Sequence, residues 1–537
     1  MDKGSVFDLF AAAAARNPQG AFLCVLPETA AAYGIEPGEI TYADALARAL
    51  ALSSAYEATG FGAGQRVGIL VENRPAFFWH WFALNRLGVS IVPINPDLRA
   101  AEIEYMIGHS DMCAAVVIPA RRKDVEDAAR AVGRTLPLID ADGTPAPLAT
   151  RATPAQPTSD TECALLYTSG TTGRPKGCVL ANEYVHVCGE WYATMGGLIS
   201  LRENCERMIT PLPLFHMNAM ACSTAGMLRV AGCLTFVDRF HPKSWWNSVR
   251  ESRATILHYL GVMPAMLMAA PATPSDRMAN IRFGFGAGVD RTLHAPFEQR
   301  FGFPLIEAWA MTETGNGAVI SAFEEPRHIG ANCFGRATPD VEARVVLEDG
   351  TDAPVDTSGE LLVRRAGKNP RFGFFREYLK DPDATAEAWA GGWFHTGDVV
   401  RRAADGSFHF VDRRKNVIRR SGENISAVEV ESVLQRHPAI KQVACVATPD
   451  AVRGDEVLAL IVPHEKPVDE AALARELTEF CLTRLAYYKA PGWTAVVPAI
   501  PLTGTQKIQR GALKQLAQDE MDAGRCHDTR ALKKRSA

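Results

Sequence analysis

The sequence predicts an α/β protein with a large N-terminal domain of layered α/β subdomains plus a small β-barrel, followed by a small α+β C-terminal domain. Three observations predict this. From residue 67 to about 310, short apolar β-type runs alternate with stretches of helical periodicity, the pattern of a largely parallel sheet covered by helices. After about Gly335 the strand candidates become closely spaced and are separated by Gly and Asp turns, which reads as an all-β portion over about 335–412. Beyond Arg413, helical and strand patterns mix again in a compact segment.

The strand candidates of the first portion are 67–71, 114–118, 233–237, 254–260 and 281–285, each a short run rich in Val, Ile, Leu, Phe or Ala. Residues 42–56 and 75–87 carry helical spacing. The Pro-, Thr- and Ala-rich stretch 140–160 reads as a surface connection. In the β-rich portion the candidates are 343–347, 360–364, 398–401 and 408–411. The last portion offers a helix over 426–436, strands over 442–447 and 457–462, and a helix over 470–484. A boundary near Asp412 follows, dividing the chain into domains 1–412 and 413–537. The tail 524–537, with Lys533, Lys534 and Arg535, reads as a solvated end.

At 537 residues the chain has room for several folding units and a sizeable core. Hydrophobic residues at 47% and charged residues at 22% are ordinary for a globular protein and argue against disorder. A formal net charge of -4 gives no support to a broad nucleic-acid surface, so any anionic ligand must be met locally. The twelve cysteines contain no CxxC pair, and no apolar leader precedes them. They read as scattered thiols in a reducing, cytoplasmic setting rather than as a zinc site. No apolar run approaches the length needed to cross a bilayer, so a soluble protein without an integral membrane segment is expected.

The residues with the clearest chemistry are YTSGTTGRPKG at 167–177: Thr168, Ser169, Gly170, Thr171, Thr172, Gly173, Arg174 and Lys176 fall within this one loop. Glycines let backbone N–H groups turn toward a ligand, hydroxyls add donors, and the cations offset phosphate charge. The loop therefore reads as a phosphate cradle. It is not a Walker loop, because Lys176 is followed by Gly177 rather than by a metal-binding hydroxyl.

This loop resembles the signature of the adenylate-forming superfamily of acyl-CoA synthetases, peptide-synthetase adenylation domains and beetle luciferases. Five further segments match in order, so the resemblance spans essentially the whole chain. Pro211–His216 (PLPLFH) is similar to the segment whose His lines the acyl pocket and moves between half-reactions. Gly286–Ala287–Gly288 and the segment EAWAMTE at 307–313 resemble the pair that encloses the adenine. The resemblance implies that Thr312 bonds the α-phosphate and that Glu313 holds a Mg2+ bridging the phosphates, a task suited to one carboxylate. Trp309–Ala310 stands where the family usually has Tyr-Gly, and Trp still offers an aromatic face for adenine.

Trp393–Asp398 (WFHTGD) matches the segment whose Asp accepts both ribose hydroxyls, as charge-assisted bonds to an ionised carboxylate allow. Asp412-Arg413-Arg414-Lys415, followed by Ser421-Gly422-Glu423-Asn424, resembles the domain hinge and the loop beside the CoA thiol tunnel. By that likeness Arg413 reaches the ribose or phosphate, Lys415 is the pivot of a mobile C-terminal domain, and Gly422 and Glu423 lie on the CoA side. The segment PLTGTQKI at 501–508 looks like the terminal motif whose Lys, here Lys507, bridges the substrate carboxylate and the α-phosphate. Gln506 stands where the family usually has Gly.

The resemblance thus implies an acid-thiol ligase using ATP, Mg2+ and coenzyme A, with catalytic residues Lys507, Thr312, Glu313 and His216. His216, Asn218, Met220, Val262, Met263 and Gly286 are the implied acyl-pocket residues. The segments PLFHMNA at 213–219 and RFHPKSWW at 239–246 look like the crotonobetaine/carnitine-CoA ligase branch. A short or medium acid, plain or substituted, is expected rather than a long fatty acid. Two alternatives stay open: an adenylating enzyme that loads a carrier protein, and a catalytically silent nucleotide-binding regulator. A homodimer is common in the family.

Overall fold

The structure is a computed structural model that describes residues 3–168, 174–347, 349–413, 417–501 and 510–534. The chain divides into two compact units: Met1–Pro96 with His109–Leu166 and Gly177–Asp412, and Asp97–Gly108 with Tyr167–Lys176 and Arg413–Ala537.

The first unit carries the mixed α/β layers. One six-stranded sheet runs in the order Leu138–Asp140, Ala114–Val117, Arg66–Leu70, Ser90–Pro93, Glu162–Thr168, Lys176–Ala181. Its central pairs are parallel, with Val67 opposite both Ile91 and Ala114. Val67, Ile69 and Leu70 are buried, as expected for a parallel strand covered on both faces. Helix Ala76–Arg86 is buried over its ten residues from Ala76 to Asn85, so it packs on all sides instead of presenting one stripe. Phe82 stacks on Phe10 at 4.2 Å. His80 is satisfied there by the Tyr56 hydroxyl at 2.6 Å and the Ala141 carbonyl at 2.9 Å, and burial lowers its pKa to about 4.

The second sheet of this unit has eight strands in the order Ile320–Ser321, Leu305–Trp309, Phe283–Ala287, Ile256–Leu260, Arg207–Thr210, Cys233–Phe236, Ala21–Val25, Gly38–Thr41. Its core side gathers Trp245, Val249, Tyr259, Leu267, Phe297 and Phe301. The strand Leu305–Trp309 is anchored at its start by Glu298, which accepts from the Leu305 N–H at 2.8 Å and from Arg327. His294 adds a bond to the Leu305 carbonyl at 3.1 Å.

The β-rich portion forms a five-stranded antiparallel sheet ordered Cys333–Gly335, Phe408–Arg413, Phe394–Arg402, Ser358–Arg365, Val341–Val346. Among the described residues its edges do not pair with each other, so the sheet is open where a small closed barrel was expected. The physical reason lies at one edge: Arg336, just beyond Cys333–Gly335, bridges to Ser321 of the eight-stranded sheet, and that edge is used there. Gly335, with φ +97, makes the approach possible, since a Cβ on it would lie 2.0 Å from the Ser321 carbonyl oxygen.

In the second unit the long hairpin Ile440–Asp450 with Gly454–Pro463 is the centre. Alternate residues serve opposite faces. Val443, Cys445, Val457, Ala459 and Ile461 pack with Val430, Leu434, Leu473 and Leu477. Ala444, Val446, Leu458 and Leu460 pack with Leu513 and Ala517 of helix Arg510–Asp522. Burial on both faces explains why these strands read as continuous apolar runs. Among the described residues the tail is not wholly the solvated end expected: His527–Asp528 adds a strand beside Trp493–Val496, and the Lys533 ammonium is buried against Glu456. Glu456 also takes Arg420 Nε at 2.7 Å, so a buried carboxylate draws the tail's cation inward.

The twelve cysteines form no disulfide; nine are buried, Cys113 and Cys526 are half-buried, and Cys205 is exposed. Burial pushes the Cys113 and Cys526 thiols up to about 11. No described helix is long and apolar enough to cross a membrane.

The Glu298 anchor sets an acid limit. Burial alone would raise its carboxyl, but the bonds from His294, Arg327 and the Leu305 N–H outweigh that and lower it from 4.5 to about 2. Because the folded value is depressed, the stabilisation is present above about pH 4.5 and is lost as pH falls toward 2. Thermal melts across this window should show Glu298→Gln less stable at neutral pH, with the gap to the parent protein closing on acidification.

Candidate active site

Strand Phe283–Ala287 delivers Gly286, Ala287 and Gly288 at its C-terminal end, where ligands bind in open α/β sheets. Gly286 lies opposite Tyr259 in register, and a Cβ on Gly286 would sit 2.2 Å from the Tyr259 carbonyl oxygen. The chain then turns through Gly288, with φ +82, and passes so close to Gly261 that a Cβ there would meet the Gly288 oxygen at 1.7 Å. Glu307, on the neighbouring strand, fixes the turn: its carboxylate accepts from the Gly288 and Val289 N–H groups at 2.8 and 3.0 Å and from the Tyr259 hydroxyl at 2.9 Å. Burial raises the Glu307 pKa, and these three donors oppose that rise.

Two residues further along the same strand, Trp309 is buried and donates Nε1–H to Asp398 Oδ2 at 2.8 Å. Asp398 is itself buried, on strand Phe394–Arg402, beside Gly397 with φ +68. Its backbone N–H bonds Thr396 Oγ1 at 3.0 Å, and that hydroxyl donates to the Leu361 carbonyl at 2.7 Å. Trp309 therefore does more than offer a ring face: it ties the Glu307–Glu313 segment to the carboxylate of the WFHTGD segment.

Past the strand, the chain turns at Met311–Thr314, closed by the Met311 N–H to Thr314 Oγ1 at 3.0 Å. The Thr312 carbonyl accepts from the Tyr184 hydroxyl at 2.9 Å, and Glu313 Oε1 accepts from the Tyr378 hydroxyl at 2.9 Å. Glu313 is buried yet belongs to no described cluster of three or more metal-ligating side chains. A single oriented carboxylate fits Mg2+, which takes one or two protein carboxylates and completes its shell with phosphate and water. Tyr184 and Tyr378 are neighbours of these candidate residues that no sequence motif signals, since they lie 128 and 65 residues from the groups they hold.

The PLPLFH segment is clamped by Asn73. Its amide donates to the carbonyls of Leu212 and Val237 at 3.2 and 2.9 Å, while its oxygen accepts from the Leu214 N–H at 2.9 Å. His216 follows, half-buried, with its ring 4.6 Å from that of Phe215. A π-helical turn, Asn218–Ser223, begins two residues later. Met220 is fully buried in it, and Met263 is 3% exposed within the core of the eight-stranded sheet. Asn218 Oδ1 lies 2.8 Å from His258 Nδ1.

Thr168 ends the strand Glu162–Thr168, and Lys176 begins the strand Lys176–Ala181. Tyr105 grips both flanks: its hydroxyl donates to the Pro175 carbonyl at 2.9 Å, its ring meets Tyr167 at 6.2 Å, and Arg174 lies over it at 5.7 Å. Gly422 and Ser421 form a two-residue hairpin turn with φ +88 and +50, leading into the strand Glu423–Ser426. Ser169, Gly170, Thr171, Thr172, Gly173, Lys415 and Lys507 lie outside the described residues, and for Arg413 and Val262 only the backbone is described.

Comparison with known proteins gives a consistent result. A family described as AMP-binding enzyme matches residues 10–379, and its C-terminal domain matches 429–507. A crotonobetaine/carnitine–CoA ligase of Salmonella typhi is 30% identical over 473 residues, which is 85% of this chain and 89% of the relative. Among solved structures, a double mutant of o-succinylbenzoate CoA synthetase from Bacillus subtilis aligns at TM-score 0.82 and 24% identity, covering 96% of this chain and 99% of its own. A malonyl-CoA ligase with methylmalonyl-CoA and AMP bound aligns at TM-score 0.73 and 26% identity, covering 90% and 97%.

The Trp309–Asp398 bond is open to a double-mutant cycle. Trp309→Phe keeps an aromatic ring but removes a donor from a buried carboxylate, a loss of about 1–3 kcal/mol. Urea unfolding of Trp309→Phe, Asp398→Asn and the double variant should give a coupling energy of that order, against near zero for an uncoupled pair.

Proposed function

This chain belongs to the AMP-binding enzyme family, matched over residues 10–379, and from that premise we propose that it activates a short or medium, substituted carboxylic acid as an acyl-adenylate and passes the acyl group to coenzyme A. As a member of that family it is an AMP-forming ligase of the acyl-CoA synthetase type. The acid is the proposal's own part. It draws on the substrate named for the Salmonella relative and on the polar Asn218 two residues beyond His216. The observation that best supports the reading is the convergence, in one unit, of the Gly286–Gly288 turn, the Trp309–Asp398 pair and the buried Glu313.

A carboxylate is a poor electrophile, because a thiol attacking it would have to expel an oxide. In the proposed first step the substrate carboxylate oxygen attacks the α-phosphorus of ATP; a P–O bond forms and pyrophosphate leaves. Two anions must meet, so the work falls to positioning and charge neutralisation. The 286–288 turn and Trp309 hold the adenine, and Asp398 with Arg413 holds the ribose. Thr168, Ser169, Gly170, Thr171, Thr172, Gly173 and Lys176 surround the phosphates, Thr312 bonds the α-phosphate, and Lys507 bridges it to the carboxylate. Mg2+, when bound, neutralises phosphate charge. Glu313 is the residue that would hold it, with Tyr378 orienting the carboxylate.

In the second step the CoA thiolate attacks the acyl carbonyl and AMP leaves. The C-terminal domain turns about Lys415, withdrawing Lys507 and presenting the Gly422–Glu423 side, while His216 moves aside in the acyl pocket. A cytoplasmic enzyme, dimeric as is common in the family, fits this reading.

A pyrophosphate-release screen across carboxylic acids, with and without CoA, tests the proposal. Release with at least one substituted short or medium acid, and thioester formed only with CoA, is expected. Lys507→Ala should lower adenylation about 10²- to 10³-fold. Silence across the whole panel, or transfer only to a carrier protein, overturns the reading. Lys415→Pro separates the half-reactions: ATP–pyrophosphate exchange should persist while thioester formation falls, and equal loss of both refutes the pivot.

A further inference from the structure

Tyr192, on helix Asn182–Thr194, is fully buried, and its hydroxyl lies 2.9 Å from His258 Nε2. Among the described residues that nitrogen is the hydroxyl's only hydrogen-bond partner. A buried phenol O–H donates its hydrogen bond to the acceptor available, so Nε2 accepts, and the imidazole proton sits on Nδ1. His258 is neutral in this arrangement: it is fully buried, and burial lowers its pKa to about 3. The tautomer decides the next contact. Nδ1–H, as a donor 2.8 Å from the Asn218 side chain, requires the amide oxygen there and not the NH2 group. Ser223 Oγ lies 2.9 Å from Nδ1 and 3.3 Å from the same Asn218 oxygen, consistent with that assignment.

A relay that begins at a buried tyrosine thus turns the Asn218 amide so that its NH2 faces away from the cluster. That NH2 makes no hydrogen bond among the described residues, although Asn218 is only half-buried while Ala219 to Ser223 behind it are buried. Asn218 stands two residues beyond His216, on the segment assigned above to the acyl pocket. We propose that Asn218 determines acid specificity by donating Nδ2–H to an oxygen acceptor on the acyl chain, with Tyr192 and His258 as positioning residues that hold the amide in that orientation. The inference rests on the acid-activating reading of the preceding subsection. All four side chains of the relay are uncharged, which suits a neutral acceptor, such as a ketone or hydroxyl, over a second carboxylate.

The test is a ratio. For each of a set of oxo acids, with the ketone moved along the chain from the third carbon outward, kcat/KM for pyrophosphate release is compared with that of the unsubstituted acid of equal length. At one ketone position the parent protein should favour the oxo acid by about tenfold, the worth of one well-placed hydrogen bond. Asn218→Asp, which presents an acceptor in place of the NH2, should invert that preference, and Asn218→Leu should abolish it. Tyr192→Phe removes the proton that sets the tautomer and should bring the ratio toward one. A merely structural role for Tyr192 would lower both acids together and leave the ratio intact. Pyrophosphate release with ratios unmoved in all three variants overturns this inference alone. No release from any acid overturns the acid-activating reading and this inference with it.

Discussion

The hydrogen bond from Trp309 to Asp398 is the constraint on which the candidate site depends. Its two residues lie 89 positions apart and on different sheets: one at the end of a strand of the eight-stranded sheet, the other within the open five-stranded sheet. Both are buried, so the bond is made in a low-dielectric setting where an unpaired carboxylate would be costly. Just past it, the Met311–Thr314 turn carries Glu313 to the Tyr378 hydroxyl. The bridge between Ser321 and Arg336 repeats the junction at the edge of the same two sheets, at the cost of barrel closure.

The other half of the site is built by removing side chains rather than adding them. Gly261 and Gly286 are places where backbone meets backbone at distances no Cβ allows. The reward is a turn at Gly288 whose amides are already satisfied by Glu307, so it is held rigid without help from a ligand. Rigid backbone of this kind suits recognition of a flat ring, where little can be gained by adjusting and much can be lost by moving.

Much of this was legible in the sequence because it is local. Strands such as 114–118 and 457–462 and the helix at 75–87 announce themselves by periodicity, and the observed elements fall within a few residues of them. The motif residues, too, are contiguous: Glu307, Trp309 and Glu313 occupy one segment. What holds them is not. Tyr105, Tyr184, Tyr378 and Asn73 are scattered, and a single tyrosine or asparagine carries no mark of the carbonyl or carboxylate it will meet 65 to 164 residues away. The tail misleads for a related reason. Charge in Lys533 reads as exposure until Glu456, 77 residues earlier, supplies a buried partner. Likewise, strand spacing cannot reveal whether a sheet closes, because closure depends on what its edges find in space.

The distribution of thiols has a practical side. Of twelve cysteines, Cys205 is the exposed one, in the loop before the strand Arg207–Thr210, and burial suppresses the thiolate at Cys113 and Cys526. Maleimide chemistry at neutral pH reads thiolate and access together, so the native chain already carries a single-site label position without any cysteine having to be engineered away. A dye at Cys205, paired with one introduced cysteine beyond residue 413, would give the rotation proposed above a fluorescence readout.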